Sequence, residues 1–90
     1  IGFSLDRVYP NPFNGNIAIN YTIQEPGNYS VEIIDLNGRS IEYIEKNTFH
    51  NVGNFNSNWE SGINSSGTYF VKIIDESKNQ NIIQKLMLIK

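Results

Sequence analysis

Ile17-Ala18-Ile19-Asn20-Tyr21-Thr22-Ile23 places apolar side chains at every odd position and small or polar ones at every even position. A period of two is the mark of a strand that buries one face, because successive side chains in an extended chain point to opposite sides. Working outward, Tyr29, Val31 and Ile33 resume the alternation, and Ile34 and Leu36 add apolar residues on the other face. This strand is expected to lie inside a sheet, covered on both sides at one end. Phe55, Ser57 and Trp59 alternate against Asn54, Asn56 and Asn58, a short strand with its aromatics inward.

Gly67-Thr68-Tyr69-Phe70-Val71-Lys72-Ile73-Ile74-Asp75 echoes Gly27-Asn28-Tyr29-Ser30-Val31-Glu32-Ile33-Ile34-Asp35 at glycine, tyrosine, valine, both isoleucines and aspartate. Two copies fall short of the three repeats a solenoid needs, so they read as similarly placed core strands, neighbours in one sheet. Asn81 to Lys90 closes the chain with Ile82, Ile83, Leu86, Met87, Leu88 and Ile89, bracketed by Lys85 and Lys90. Ile1 to Val8 carries a broken alternation suited to a linker or a first strand.

Turn chemistry separates these segments. Glu25-Pro26-Gly27-Asn28 reads as a type II turn with glycine supplying the positive φ. Asn37-Gly38 is the strongest local hairpin signal, since both residues tolerate the positive φ of a type I′ turn. The following strand, Arg39 to Lys46, carries Glu42, Glu45 and Lys46, which suits an edge. Asn47 to Asn54 reads as a polar loop. Val8-Tyr9-Pro10-Asn11-Pro12-Phe13-Asn14 reads as a rigid, extended lead-in, because each proline fixes its own φ and biases the residue before it. Six or seven strands with turns every eight to twelve residues and no helical period predict an all-β, immunoglobulin-like antiparallel sandwich of about seven strands. The whole of residues 1–90 is expected to be one domain.

Composition narrows the function. The net charge is −2, so no nucleic-acid footprint is visible. No apolar run approaches the roughly 18 residues of a membrane span, and no signal peptide is recognisable; an export label would lie upstream of Ile1. With no cysteine, disulfide and thiolate–metal frameworks are excluded. The one histidine, His50, stands in no motif with serine or aspartate and reads as an ordinary surface residue. Asp35 and Asp75 would meet only if their strands were suitably placed, and both read as turn-forming carboxylates at strand ends. Asp35-Leu36-Asn37-Gly38 opens like a calcium loop, but Ser40 and Lys46 occupy the positions that need glycine and glutamate. Tyr43, Phe49, Phe55 and Trp59 are candidates for a sugar-binding platform, against the reading that they fill a small core. The fourteen asparagines deprive the sequons at Asn20, Asn28 and Asn64 of weight. No catalytic residue, cofactor or metal is expected.

Taken in order, the landmarks resemble the type A C-terminal sorting domain of the bacterial type IX secretion system. They are Tyr9-Pro10-Asn11-Pro12-Phe13-Asn14, the alternating Ile17, Ile19 and Tyr21, Asp35-Leu36-Asn37-Gly38-Arg39, Trp59, Ser66-Gly67-Thr68-Tyr69, and Lys85-Leu86-Met87-Leu88-Ile89-Lys90. Gly15-Asn16 stands where small hydroxyl residues are frequent in that family. The resemblance implies a label at the end of an exported cargo. It would be read by the outer-membrane secretion translocon after transit of the periplasm, then removed by a surface sortase, leaving the cargo at the cell surface or in the medium. The sorting-motif candidates are Tyr9, Pro10, Asn11, Pro12, Phe13, Asp35, Gly38, Arg39, Gly67, Tyr69, Lys85, Leu86 and Lys90. The last strand is expected to offer its backbone edge and the heads of Lys85 and Lys90 to a receptor by strand addition. The alternative is a structural or adhesive immunoglobulin- or fibronectin-like module that binds protein or carbohydrate.

Overall fold

A computed structural model describes residues 1–90. The alternating segments become β1 (Phe3–Tyr9), β2 (Asn16–Ile23), β3 (Gly27–Asp35), β4 (Ser40–His50), β5 (Gly53–Glu60), β6 (Gly67–Asp75) and β7 (Gln80–Leu88), with no helix. They pair antiparallel into a three-stranded sheet, β1-β2-β5, and a four-stranded sheet, β4-β3-β6-β7. The two sheets bring their apolar faces together around fifteen buried residues, among them Ile17, Ile19, Tyr21, Val31, Ile33, Trp59, Val71, Ile73 and Leu86. Each such side chain contributes about 1.5–3 kcal/mol by leaving water. The arrangement is the immunoglobulin-like sandwich expected from the sequence, with the fourth strand paired to the third as in variable-type domains.

The internal echo has a geometric cause. β3 and β6 are antiparallel neighbours, registered Tyr29↔Asp75 through Asp35↔Tyr69. The Tyr29 hydroxyl donates to the Glu25 carbonyl at 2.8 Å, and the Tyr69 hydroxyl donates to the Ser65 carbonyl at 2.7 Å. Both bonds reach four residues back, the tyrosine-corner arrangement of immunoglobulin-like folds. Each aspartate anchors the turn after its strand: Asp35 Oδ1 accepts from the Asn37 and Arg39 amides, and Asp75 Oδ1 from those of Ser77 and Lys78. The echo is thus one corner-and-turn device used twice, at opposite ends of an antiparallel pair. Tyr69→Phe is expected to lower the unfolding free energy by about 0.5–1.5 kcal/mol, read as a lower urea midpoint at unchanged m-value.

Several local expectations are corrected. Residues 47–50 are not loop: β4 continues to His50, and only Asn51 and Val52 separate it from β5. Asn47, with φ 48°, is the extra residue of a bulge, where the register steps from Tyr29↔Thr48 to Val31↔Glu45. Its amide donates to Ser30 Oγ. An exposed edge strand needs few apolar residues, so its composition resembles that of a loop. Gly27 has no positive φ and begins β3, opposite His50. The crossing between sheets falls at Gln24 and Glu25, whose amides both donate to the Gly2 carbonyl. At the β3–β4 turn only Gly38 has positive φ, at 82°, and its amide donates to the Asp35 carbonyl. This is a type I turn closed by a glycine bulge rather than a type I′ turn. Residues 10–12 bend instead of running extended, and both X-Pro peptides are cis.

Candidate functional site

Of the six landmark segments, five converge on one pole of the sandwich; the alternating residues of β2 run through its core. β1 delivers Tyr9, half-buried, with the Arg7 guanidinium 4.1 Å from its ring centre. The bends at Pro10 and Pro12 then carry the chain across to the margin of β7. There the Asn11 side chain donates through Nδ2 to the Lys85 carbonyl and accepts through Oδ1 from the Met87 amide, each at 2.9 Å. The Phe13 amide donates to the Met87 carbonyl, and the Ile89 amide donates to the Phe13 carbonyl, also at 2.9 Å. The proline segment is therefore a strap bonded along the last strand.

Phe13 follows the strap inward and is only 2 % exposed. Its ring lies 5.8 Å from that of Trp59, which in turn meets Tyr69 edge-on at 5.4 Å. Contacts of this kind add about 0.5–1.5 kcal/mol to burial alone. Trp59 Nε1 reaches Glu42 Oε1 at 3.1 Å, so the one polar atom of the indole is satisfied at the sandwich margin. Tyr69 sits between Asp35 and Leu86 in one row across the four-stranded sheet. The Arg39 amide, its guanidinium and the Asn37 amide together hold the Asp35 carboxyl below its ordinary range. Gly67 pairs with Leu88, the Lys90 amide donates to Ser66 Oγ, and Lys90 Nζ donates to the Gly62 carbonyl. The Lys85 head points to solvent, and that of Arg39 stays 77 % exposed although its Nε is bonded to Asp35.

The motif residues thus divide by role. Phe13, Tyr69 and Leu86 are buried and hold the pole together, whereas Asn11, Arg39, Lys85 and Lys90 lie on its surface. The edge expected to receive a receptor strand is shortened at this pole: from the Lys85 carbonyl to the Ile89 amide the strap already occupies it, and the Lys90 head already has a partner.

His50 is also corrected, for it is 4 % exposed rather than on the surface. Its ring packs against Tyr21, Tyr29 and Phe55. Nδ1 donates to the Thr48 carbonyl at 2.9 Å, while Nε2 lies 3.1 Å from Glu45 Oε2 and 3.2 Å from the Tyr21 hydroxyl. Tyr21 donates to the same Glu45 oxygen at 2.5 Å, and burial together with that carboxylate pushes its phenol upward. Sequence reasoning missed this cluster because it depended on the assignment of residues 47–50 to a loop. The available signal was the spacing of Glu45 and His50, which share a face once one extra residue between them is discounted. Both ring nitrogens are engaged inside the fold, which suits structural polar packing rather than proton transfer to a substrate.

Asp35 and Asp75 stand at opposite ends of their strand pair. No three His, Asp or Glu side chains converge as a metal site requires. A shallow hollow of about 330 Å3, lined by Asp6, Asn20, Tyr21, Asn54, Phe55 and Asn56, contains none of His50, Asp35 and Asp75. The aromatics do not form a platform: Trp59 is buried, Phe55 stacks on Tyr21, and only Tyr43 and Phe49 are exposed.

The fold and the site define a β-sandwich module whose landmark segments gather at one pole instead of lining a cleft. The chain belongs to the secretion system C-terminal sorting domain family, which matches residues 7–90. No curated protein matches the chain. It is accordingly a C-terminal sorting signal for type IX secretion, a role that implies an upstream cargo, the type IX machinery and export to the cell surface or medium. Domains of this family are generally non-catalytic. No helix is long and apolar enough to cross a membrane.

Proposed function

We propose that residues 1–90 act as one folded, non-catalytic label, read at the pole that carries Tyr9–Phe13, Asp35–Arg39, Gly67–Tyr69 and Lys85–Lys90. The label engages the outer-membrane translocon from the periplasm, and a surface sortase then separates it from the cargo. The convergence of segments distant in sequence onto that pole carries this reading. A tag that serves different cargoes must present the same surface on each, and a rigid core beneath exposed cationic heads supplies one. Arg39 and Lys85 are the contacts best placed for an acidic receptor, since rim charges steer encounter and orientation.

The test is a reporter with an inner-membrane export signal, fused ahead of residues 1–90 in a bacterium that has the type IX machinery. The intact fusion is expected at the surface or in the medium, and the fusion lacking the label in the periplasm. An Arg39→Glu, Lys85→Glu variant is expected to fold yet remain periplasmic. Export of that variant at the parental level would remove the pole from recognition, and periplasmic retention of the intact fusion would end the proposal.

A further inference from the structure

Four strands lie at sheet margins, β1 and β5 in one sheet and β4 and β7 in the other. A margin strand carries a row of unpaired N–H and C=O groups, and proteins ordinarily blunt it with bulges, charges, prolines or a cover. β4 shifts register against β3 in three places and carries Glu42, Glu45 and Lys46. β1 is bulged between Leu5 and Arg7, next to the charges of Asp6 and Arg7. β5 lies beside β4, with the Trp59–Glu42 bond joining them, and β1 lies beside β7 without pairing to it. β7 is blunted along only half its length.

Its pairing with β6 runs from Asp75↔Gln80 to Gly67↔Leu88 without a shift. In an antiparallel ladder the backbone groups of alternate residues face outward. Lys85, Met87 and Ile89 are such residues, since their outward groups bond the strap. By the same alternation the N–H and C=O groups of Asn81 and Ile83, and the N–H of Lys85, also face outward. No bond beyond the ladder takes them. Gln80 to Gln84 contains no charge, proline or glycine, and Ile83 is 49 % exposed.

We infer that the outward backbone row of Asn81, Ile83 and Lys85 is a docking edge, to which a protein of the export machinery adds an extended, acidic strand. This rests on the proposed sorting function and names the kind of partner that reads the label. The other half of the same edge already holds a backbone partner in Phe13, so its geometry accepts one. The chemistry of the partner follows from the outer face. Ile83 pairs with Lys72, and Lys85 stands two residues further along the same face. The carboxylate in that row, Glu32, is buried on the far side of Lys72. An incoming strand therefore gains by placing an apolar side chain beside Ile83 and carboxylates near Lys72 and Lys85. A second copy of this chain would instead bring two more lysines to that face with no acid to meet them.

Ile83→Pro deletes one outward donor and leaves the β6–β7 bonds in place, the condition under which an edge strand tolerates proline. A second variant, Asn81→Glu with Ile83→Glu, retains every donor but sets carboxylates against the approach of an acidic strand. In the reporter fusion, the proline variant and the double-glutamate variant are each expected to lose export and accumulate in the periplasm. Thermal unfolding of the purified variants reports whether each folds. If the proline variant does not fold, the glutamate pair decides. Export of a folded edge variant at the parental level, while the fusion lacking residues 1–90 stays in the periplasm, overturns the docking edge and leaves the sorting function standing. Export of the fusion lacking residues 1–90 overturns the function as well. Dimeric parental domain that becomes monomeric in Ile83→Pro, with export unchanged, assigns the edge to self-association and also overturns the inference.

Discussion

Trp59→Ala is expected to lower the unfolding free energy by about 3–5 kcal/mol. The indole is 1 % exposed, packs between Phe13 and Tyr69, and joins the two sheets and the strap at one place. No neighbour is free to fill the space it leaves, because the strap is tied to β7 by backbone bonds and Tyr69 by its hydroxyl. Whole domains are stable by only about 5–15 kcal/mol, so the loss removes a large fraction of the total. Urea denaturation of the purified domain measures the change directly. Because Phe13 and Trp59 touch, the double substitution to alanine should cost less than the sum of the singles. A Trp59→Ala loss below about 1 kcal/mol would mean that the strap closes over the gap, and that the pole is not a rigid unit.

Removal of Leu86 to Lys90 is expected to unfold the domain outright. Leu86 and Leu88 are both fully buried, and truncating one leucine in a core costs about 2–5 kcal/mol. The deletion also takes away Met87 and Ile89, the partners of Asn11 and Phe13, and so frees the strap. Circular dichroism should show the β signal lost, and any fused reporter should fail to be exported. That failure reports on the fold and says nothing of receptor contact. Substitutions on the surface of β7, which leave Leu86 and Leu88 in place, are the informative ones. A truncated domain with a cooperative thermal transition near that of the parent would show that the last strand is dispensable to the fold.

Much of this architecture was readable from residues alone. The period of two in Ile17–Ile23 survives as a half-buried strand because one face of the sheet meets the core and the other meets water. The echo of Gly27–Asp35 in Gly67–Asp75 correctly marked two adjacent inner strands. Edge character was likewise legible in Glu42, Glu45 and Lys46. The errors share a cause. Residues 47–50 are strand because their backbone groups pair with β3, a condition that the polar character of Asn47, Thr48 and His50 does not announce. The turn at Gly27 depended on which sheet the next strand joined and the turn at Gly38 on the bulged register of its hairpin, and no four-residue window contains either.

The candidate site divides along the same line. Its members were named from their order along the chain, but their assembly at one pole follows from β3–β6 and β6–β7 register and from the strap across β7. His50 shows the limit most plainly. A lone polar residue in a polar stretch reads as exposed, yet a single bulge at Asn47 turns it into the core against Tyr21 and Glu45. Side-chain periodicity encodes which faces avoid water, since that is a local consequence of backbone geometry. Which edges meet, which are covered and which stay open is settled by backbone hydrogen bonds between segments far apart in the chain, and those bonds carry no residue code.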